Sequence, residues 1–117
     1  MKKRILIAED NELNMKLMKD LLTVKGYDVT PVYDGEAALN IIEKEDFDLL
    51  LLDMQMPKKS GYDVLKEVKK NIPTIIVSAY ARPEEIEKVK QYDHIDYITK
   101  PIQITVFLQK IEAVLNN

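Results

Sequence analysis

The chain has 117 residues, no cysteine and a formal net charge of −3. Its length suits one domain with a buried core, and the lack of cysteine excludes disulfides, thiol catalysis and cysteine-ligated zinc. The small negative charge provides no general attraction to nucleic acid or to anionic membranes, so we expect direct binding to neither.

The hydropathy pattern argues against export and membrane insertion. No apolar run approaches the roughly 18 residues of a spanning helix. The basic start at residues 1–4 is followed only by the short apolar run 5–8, which does not read as a signal peptide. We therefore expect a single domain over residues 1–117 that works in the cytoplasm.

Five apolar segments of strand length alternate with five amphipathic segments. The predicted strands are residues 4–8, 28–32, 48–52, 73–77 and 95–98. The first, third and fourth contain continuous rather than alternating apolar runs, at residues 5–8, 49–52 and 75–77, which is typical of central parallel strands covered on both faces. Strict alternation of strand and helix predicts an α/β fold, a doubly wound parallel sheet with helices on both faces.

Each predicted helix carries an apolar stripe at helical spacing. The stripes are Leu13, Leu17, Met18, Leu21 and Leu22; Ala38, Ile41 and Ile42; Val64, Leu65 and Val68; Ile86 and Val89; and Phe107, Leu108, Ile111, Val114 and Leu115. Ser60 and Asp63 predict a capping box for the third helix. Pro83 followed by acids predicts the start of the fourth, whose thin stripe makes it the least firmly held.

Charged residues stand at the ends of three predicted strands. Glu9 and Asp10 follow the first strand, Asp53 follows the third and Lys100 follows the fifth. An ionised acid directly after a buried strand is costly unless something compensates it. Such sheets bind ligands beyond the carboxyl ends of their strands, where the strand order reverses. The pattern therefore predicts a site for a divalent metal and an anion.

Four short motifs, in this order, resemble those of the receiver domains of two-component response regulators. They are "ILIAEDN", "LLLLDMQMPKKSG", "TIIVSAY" and "YITKP", and the resemblance runs from end to end. It implies the flavodoxin-like (βα)5 strand order 2-1-3-4-5. The nearest subtype is the stand-alone regulator of cell division and differentiation in alphaproteobacteria, which "EDNELNMKLMKDLL" and "KPIQITVFL" resemble.

The resemblance implies a phosphorylation site. Asp53 would take a phosphoryl group from a phosphohistidine, with positive charge needed around the transferring oxygens. Asp10 and Asp53 would ligate Mg²⁺ directly, Glu9 through water and Gln55 through its backbone carbonyl. Lys100 would pair with Asp53 before the reaction and with the phosphoryl oxygens after it.

The resemblance also implies a switch. Ser78 would donate its hydroxyl to the phosphoryl group, Tyr97 would swing inward, and the Lys100–Pro101 bond would be cis to aim the lysine. Gln55 and Tyr80 would tune the phosphoryl lifetime, and the tyrosine ring predicts slow self-dephosphorylation.

The signal would leave through protein contact. The output surface would be the fourth helix, fifth strand and fifth helix, which would bind a downstream protein target. A histidine kinase or histidine phosphotransferase would dock on the first helix near Leu13 and Met15. The domain would be no enzyme beyond catalysing its own phosphorylation and dephosphorylation.

Other interpretations remain open at this point. A metal-dependent phosphatase that forms an aspartyl-phosphate typically has a second acid two residues after the nucleophile, where this chain has Gln55. A flavodoxin-like electron carrier needs a loop rich in Gly, Ser or Thr after the first strand, where "EDNELN" offers acids. An inactive receiver used as a docking module is the third alternative. Separately, Ser78 is compatible with a purely structural role, and His94 reads as a solvated loop residue.

Overall fold

Five strands alternate with five helices in the computed structural model, which describes residues 2–79, 83–90 and 95–116, apart from the side chains of Glu85 and Lys90. The strands are β1 Arg4–Ala8, β2 Asp28–Val32, β3 Leu49–Asp53, β4 Thr74–Ser78 and β5 Ile95–Thr99. The helices are α1 Glu12–Val24, α2 Gly35–Lys44, α3 Gly61–Glu67, α4 Pro83–Lys90 and α5 Ile104–Leu115.

The strands form one parallel sheet in the order β2-β1-β3-β4-β5, which confirms the predicted topology. The third and fourth strands begin and end one residue later than predicted, and the fifth ends one residue later. The register explains the shift, because Asp53 pairs with Val77 and Ser78 with Thr99. Polar residues at the carboxyl ends of these strands therefore belong to the hydrogen-bonded ladder.

Two apolar layers cover the sheet. One contains Ile5 and Ile7 with residues of α1 and α5, and the other contains Leu6 and Ala8 with residues of α2, α3 and α4. This alternation along one buried strand is what a sheet covered on both faces requires. The three central strands are almost wholly buried, whereas β2 and β5 at the edges are partly exposed.

The predicted apolar stripes of α2 and α5 pack against the sheet. The stripe predicted for α1 was wrong at Leu13. Leu13 is 80% exposed, and the fully buried residues of α1 are Met15, Met18 and Leu22. Apolar residues extend around more than one face of α1, so the spacing alone did not identify the inner face. Contact with the sheet and with α5 decides it.

The predicted helix starts at Ser60 and Pro83 are confirmed. The Ser60 Oγ accepts a hydrogen bond from the Asp63 N–H at 3.1 Å, and the Asp63 carboxylate accepts one from the Ser60 N–H at 3.2 Å. These bonds fix the point where the chain enters α3, directly after the loop that follows Asp53. Within the described residues, no helix has the length and apolar character needed to cross a bilayer.

Candidate functional site

The carboxyl ends of β1, β3, β4 and β5 bring the predicted charged residues together. Ala8 pairs with Leu52 across β1 and β3, so the next residues along the two chains, Glu9 and Asp53, lie side by side at this edge of the sheet. The Lys100 N–H donates to the Ser78 carbonyl at 2.7 Å, which fixes the chain after β5 against the end of β4. Sheet topology thus creates one site from residues that are distant in the sequence.

Three carboxylates form an acidic cluster in this site. Oxygen atoms of Glu9, Asp10 and Asp53 lie within 4.8 Å of one another. Glu9 and Asp53 are buried, with 0% and 5% of their surface exposed, while Asp10 faces solvent. Like charges held this close in a buried position repel one another unless a cation compensates them.

The Glu9 carboxylate fits a metal site because, in the described part of the chain, one of its buried oxygens is held only by an ion pair with Lys100. Its Oε2 accepts a hydrogen bond from the Asn11 N–H at 3.2 Å. Its buried Oε1 has no hydrogen-bond partner among the described residues, although the Lys100 Nζ lies 2.9 Å away in an ion pair. Hard divalent cations such as Mg²⁺ prefer oxygen ligands of this kind. The donor set therefore suits Mg²⁺.

Lys100 is the cation that the described structure brings to this cluster. Its Nζ lies 2.9 Å from the Glu9 carboxylate and 3.3 Å from Oδ2 of Asp53. Burial acts to lower the pKa of Lys100, but the two carboxylates outweigh burial and leave that pKa raised. The lysine therefore stays charged. The Lys100–Pro101 peptide bond is cis.

The electrostatic environment of Asp53 favours its protonated form. Burial, followed by the contact with Glu9, raises the pKa of Asp53 from 3.8 to about 6, against the opposing effects of the Gln55 N–H and Lys100. The carboxylate is therefore ionised at neutral pH but held at a cost in free energy. A bound cation would remove that cost.

The loop between β3 and α3 contacts the carboxylate oxygen of Asp53 that does not face Lys100. The Gln55 N–H donates to Oδ1 of Asp53 at 3.1 Å, while the Gln55 side chain is exposed. Farther along the loop, Lys58 has a positive φ of 67° and the Lys59 N–H donates to the Pro57 carbonyl at 2.7 Å. The loop is therefore tightly turned, and it orients one carboxylate oxygen of Asp53.

The predicted switch residues lie beside this site. Ser78 is buried at the carboxyl end of β4. Tyr97 is half-buried on β5 and packs against the apolar layer that contains Val89 of α4. Tyr80 and His94 lie outside the described residues.

The predicted docking face on α1 needs one correction. Leu13 is exposed in the first turn of α1, close in sequence to Asp10, and it remains available to a partner. Met15 is 2% exposed and packs in the core under the sheet, so it is not part of any docking face. The helical rotation that exposes Leu13 turns Met15 inward.

Two glycines near the site were missed by the sequence analysis. Gly61 packs against the backbone of Asp53, and Gly35 packs against the backbone of Lys59. The signal was present in the sequence, because each glycine directly follows the capping residue of a helix. Glycine is a poor helix former, so its presence in a first helical turn indicates close approach of another backbone.

Comparisons with known proteins agree with this arrangement. The family model described as "Response regulator receiver domain" matches residues 5–112. The polar-differentiation response regulator DivK of Brucella ovis is 38% identical over 122 aligned residues, covering 100% of this chain and 99% of that protein. This similarity agrees with the predicted subtype.

Solved structures show the same fold. The receiver domain of the Francisella response regulator 1452 has a TM-score of 0.88 at 31% identity, and the match covers 98% of each chain. A CheY-like response regulator receiver domain protein from Methanospirillum hungatei has a TM-score of 0.90 at 30% identity, covering 99% of this chain and 95% of that chain.

Proposed function

The chain belongs to the response regulator receiver domain family, and from that membership we propose that Asp53 is the residue that receives the phosphoryl group. The observation that carries the proposal is the convergence of Glu9, Asp10, Asp53 and Lys100 at the carboxyl ends of three strands. A phosphatase or an electron carrier is not favoured by these comparisons.

The acidic cluster would hold Mg²⁺. Asp10 and Asp53 would be direct ligands, Glu9 would act through water, and Gln55 would contribute its backbone carbonyl. When bound, Mg²⁺ supplies positive charge that offsets the negative charge of the phosphoryl oxygens and of the carboxylates. The buried Oε1 of Glu9, which has an ion-pair contact with Lys100 but accepts no hydrogen bond from the described residues, supports this assignment.

Asp53 would act as the nucleophile, and its neighbours would orient it. The Gln55 N–H on Oδ1 restricts rotation of the carboxylate, and Lys100 on Oδ2 favours its ionised form. During transfer from a phosphohistidine, Lys100 would exchange its contact with Asp53 for a contact with a phosphoryl oxygen. The domain would thus catalyse only its own phosphorylation and dephosphorylation, with Gln55 and Tyr80 tuning the lifetime of the product.

The signal would leave through the surface formed by α4, β5 and α5. Ser78 would donate its hydroxyl to the phosphoryl group, and Tyr97 would move inward. A surface groove of about 290 Å³ on this side is lined by Tyr97, Lys100, Val106 and Lys110, among others. Rearrangement of Tyr97 would change the shape of this groove, which a downstream protein target would read.

The phosphoryl donor would be a histidine kinase or a histidine phosphotransferase in the cytoplasm. Its phosphohistidine must reach Asp53, so it must dock at the carboxyl edge of the sheet. The exposed Leu13 on the first turn of α1 offers an apolar contact there. Met15 is not part of this proposal, because it is buried.

Phosphorylation by a small donor tests the site directly. Wild-type protein incubated with acetyl phosphate and Mg²⁺ is expected to gain the mass of one phosphoryl group in intact-mass spectrometry, and Asp53→Asn is expected to gain none. Asp20→Asn, which changes an exposed acid on α1, is the control and should match wild type. Equal mass gain in Asp53→Asn and wild type would refute the assignment of the phosphoacceptor.

Replacement of the Ser78 hydroxyl tests the switch. In wild type, we expect phosphorylation to change hydrogen exchange most in α4 and β5, through a coupling of roughly 1–3 kcal/mol. Ser78→Ala should accept phosphate but lose most of that change. Thr99→Val removes an exposed hydroxyl from the register partner of Ser78 and should behave as wild type. An exchange response in Ser78→Ala as large as in wild type would show that the hydroxyl is not the trigger.

A further inference from the structure

The positions of the three glycines in this chain are informative. Gly35 and Gly61 are the first residues of α2 and α3, directly after the capping residues Asp34 and Ser60. Glycine is a poor helix former compared with alanine, because it loses more backbone conformational entropy on folding. A gain elsewhere must therefore account for glycine at these two helix starts.

Gly61 lies against the backbone of the proposed phosphoacceptor. A Cβ atom at this position would lie 2.4 Å from the Asp53 carbonyl oxygen and 3.0 Å from the Met54 Cα. The Gly61 N–H also donates to the Met54 carbonyl at 3.1 Å. These neighbours are backbone atoms of a buried strand end, so they cannot rotate away as a flexible side chain would.

Gly35 lies against the same loop at a second point, the backbone of Lys59. A Cβ atom there would lie 2.1 Å from the Lys59 carbonyl oxygen and 2.7 Å from the Lys59 Cβ. The loop is already constrained at this point by the positive φ of Lys58 and by the bond from the Lys59 N–H to Pro57. A methyl group on Gly35 would therefore have to displace the loop that carries Gln55.

We propose that Gly35 and Gly61 are positioning residues for the metal and phosphorylation site. By allowing the first turns of α2 and α3 to approach the backbone closely, they fix the loop between β3 and α3. That loop sets the direction of the Asp53 carboxylate through the Gln55 N–H. This inference rests on the proposed function, because it assigns the two glycines a role in holding that same site.

Gly26 provides a matched control at the opposite end of the sheet. It lies between α1 and the start of β2, with a φ of +93°, and a Cβ atom there would meet no atom within 4 Å beyond its chain neighbours. Gly26→Ala would therefore be destabilised by backbone strain rather than by contact with a neighbour. It reports what a glycine-to-alanine change does to stability without touching the loop beside Asp53.

The experiment compares Mg²⁺ affinity, measured by calorimetric titration with magnesium chloride, with thermal unfolding in EDTA. Gly35→Ala and Gly61→Ala are expected to weaken Mg²⁺ binding by about tenfold or more, the usual effect of disturbing residues that orient metal ligands. They should also slow phosphorylation by acetyl phosphate. Gly26→Ala should lower the unfolding temperature and leave the Mg²⁺ affinity at the wild-type value.

The outcomes separate the inference from the function on which it rests. A folded Gly35→Ala or Gly61→Ala variant with wild-type Mg²⁺ affinity overturns the role of that glycine, while the function stands. A wild-type protein that binds no Mg²⁺ overturns both. If Gly61→Ala does not fold, Gly35→Ala decides, because its methyl group meets a surface loop. If neither folds, both glycines serve the fold alone and the positioning role is rejected.

Discussion

Replacing Lys100 with methionine is expected to lower the free energy of unfolding of the metal-free protein by about 3 kcal/mol at neutral pH. Methionine keeps the length of the side chain but removes the charge that lies 2.9 Å from Glu9 and 3.3 Å from Asp53. Both carboxylates are buried, so the variant holds two unpaired acids out of water. Urea unfolding followed by circular dichroism measures the loss.

An exposed ion pair supplies the control for this substitution. Lys16 pairs with Asp20 on α1, with side chains that are 75% and 59% exposed, and Lys16→Met should change stability by less than about 0.5 kcal/mol. The loss in Lys100→Met should also shrink at acid pH, since protonation neutralises the unpaired carboxyls. If the two lysine variants proved equally stable at neutral pH, Lys100 would not be compensating a buried charge.

The second prediction concerns a substitution that should raise the free energy of unfolding. Asp53→Asn is expected to raise the free energy of unfolding in EDTA by about 1–3 kcal/mol at neutral pH. The rise of the Asp53 pKa from 3.8 to about 6 corresponds to about 3 kcal/mol of penalty for the ionised form. This penalty is already net of the attraction to Lys100. The substitution that abolishes phosphorylation should therefore stabilise the metal-free fold.

The pH dependence fixes the sign of this effect. Because the pKa of Asp53 is raised in the folded state, its contribution to the stability of wild type is fully present below pH 3.8, the ordinary aspartate value. Wild type loses that contribution as the pH rises through about 6 and the buried carboxyl ionises. The advantage of Asp53→Asn should therefore disappear at acid pH. Mg²⁺ should also reduce it, because a ligand that binds the native wild type more tightly than the native variant stabilises wild type more.

Asp10 tests whether burial of the carboxylate is what makes Asp53→Asn stabilising. Asp10 belongs to the same cluster but faces solvent, so Asp10→Asn should stabilise the metal-free protein much less while weakening Mg²⁺ binding. Denaturation curves of wild type, Asp53→Asn and Asp10→Asn, recorded at neutral and acid pH with EDTA or Mg²⁺, measure these differences in stability. A metal-free Asp53→Asn that is less stable than wild type at neutral pH would mean that the carboxylate is held without penalty.

Much of the fold followed from local pattern. Continuous apolar runs predicted the central strands to within one residue, because strands covered on both faces need apolar residues at every position. The grouping of Glu9, Asp53 and Lys100 was also predictable, since the carboxyl ends of parallel strands lie at one edge of the sheet. These inferences needed only the order of the elements.

Features that depend on contacts between distant segments were not predictable. The apolar residues of α1 extend around the helix, so the outward position of Leu13 and the inward position of Met15 follow from packing against the sheet. The pair Glu9 and Asp10 likewise gave no sign of which acid would be buried. Glycine directly after the capping residue Ser60 indicated a close backbone approach, but its partner, the backbone of Asp53, is defined only once α3 folds back on β3.

Strand β2 at one edge of the sheet limits how other chains can attach to it. The Asp28 N–H donates to the Lys3 carbonyl, and the Val32 carbonyl accepts from the Glu9 N–H, so both groups face β1. Because backbone groups alternate in direction along a strand, those of Pro31 face the open edge of the sheet. Proline has no N–H to donate, so Pro31 removes one of the donors that an added strand would need at this edge. Recruitment by strand addition is therefore disfavoured on this side of the molecule, and β2 is also protected against self-association into extended sheets.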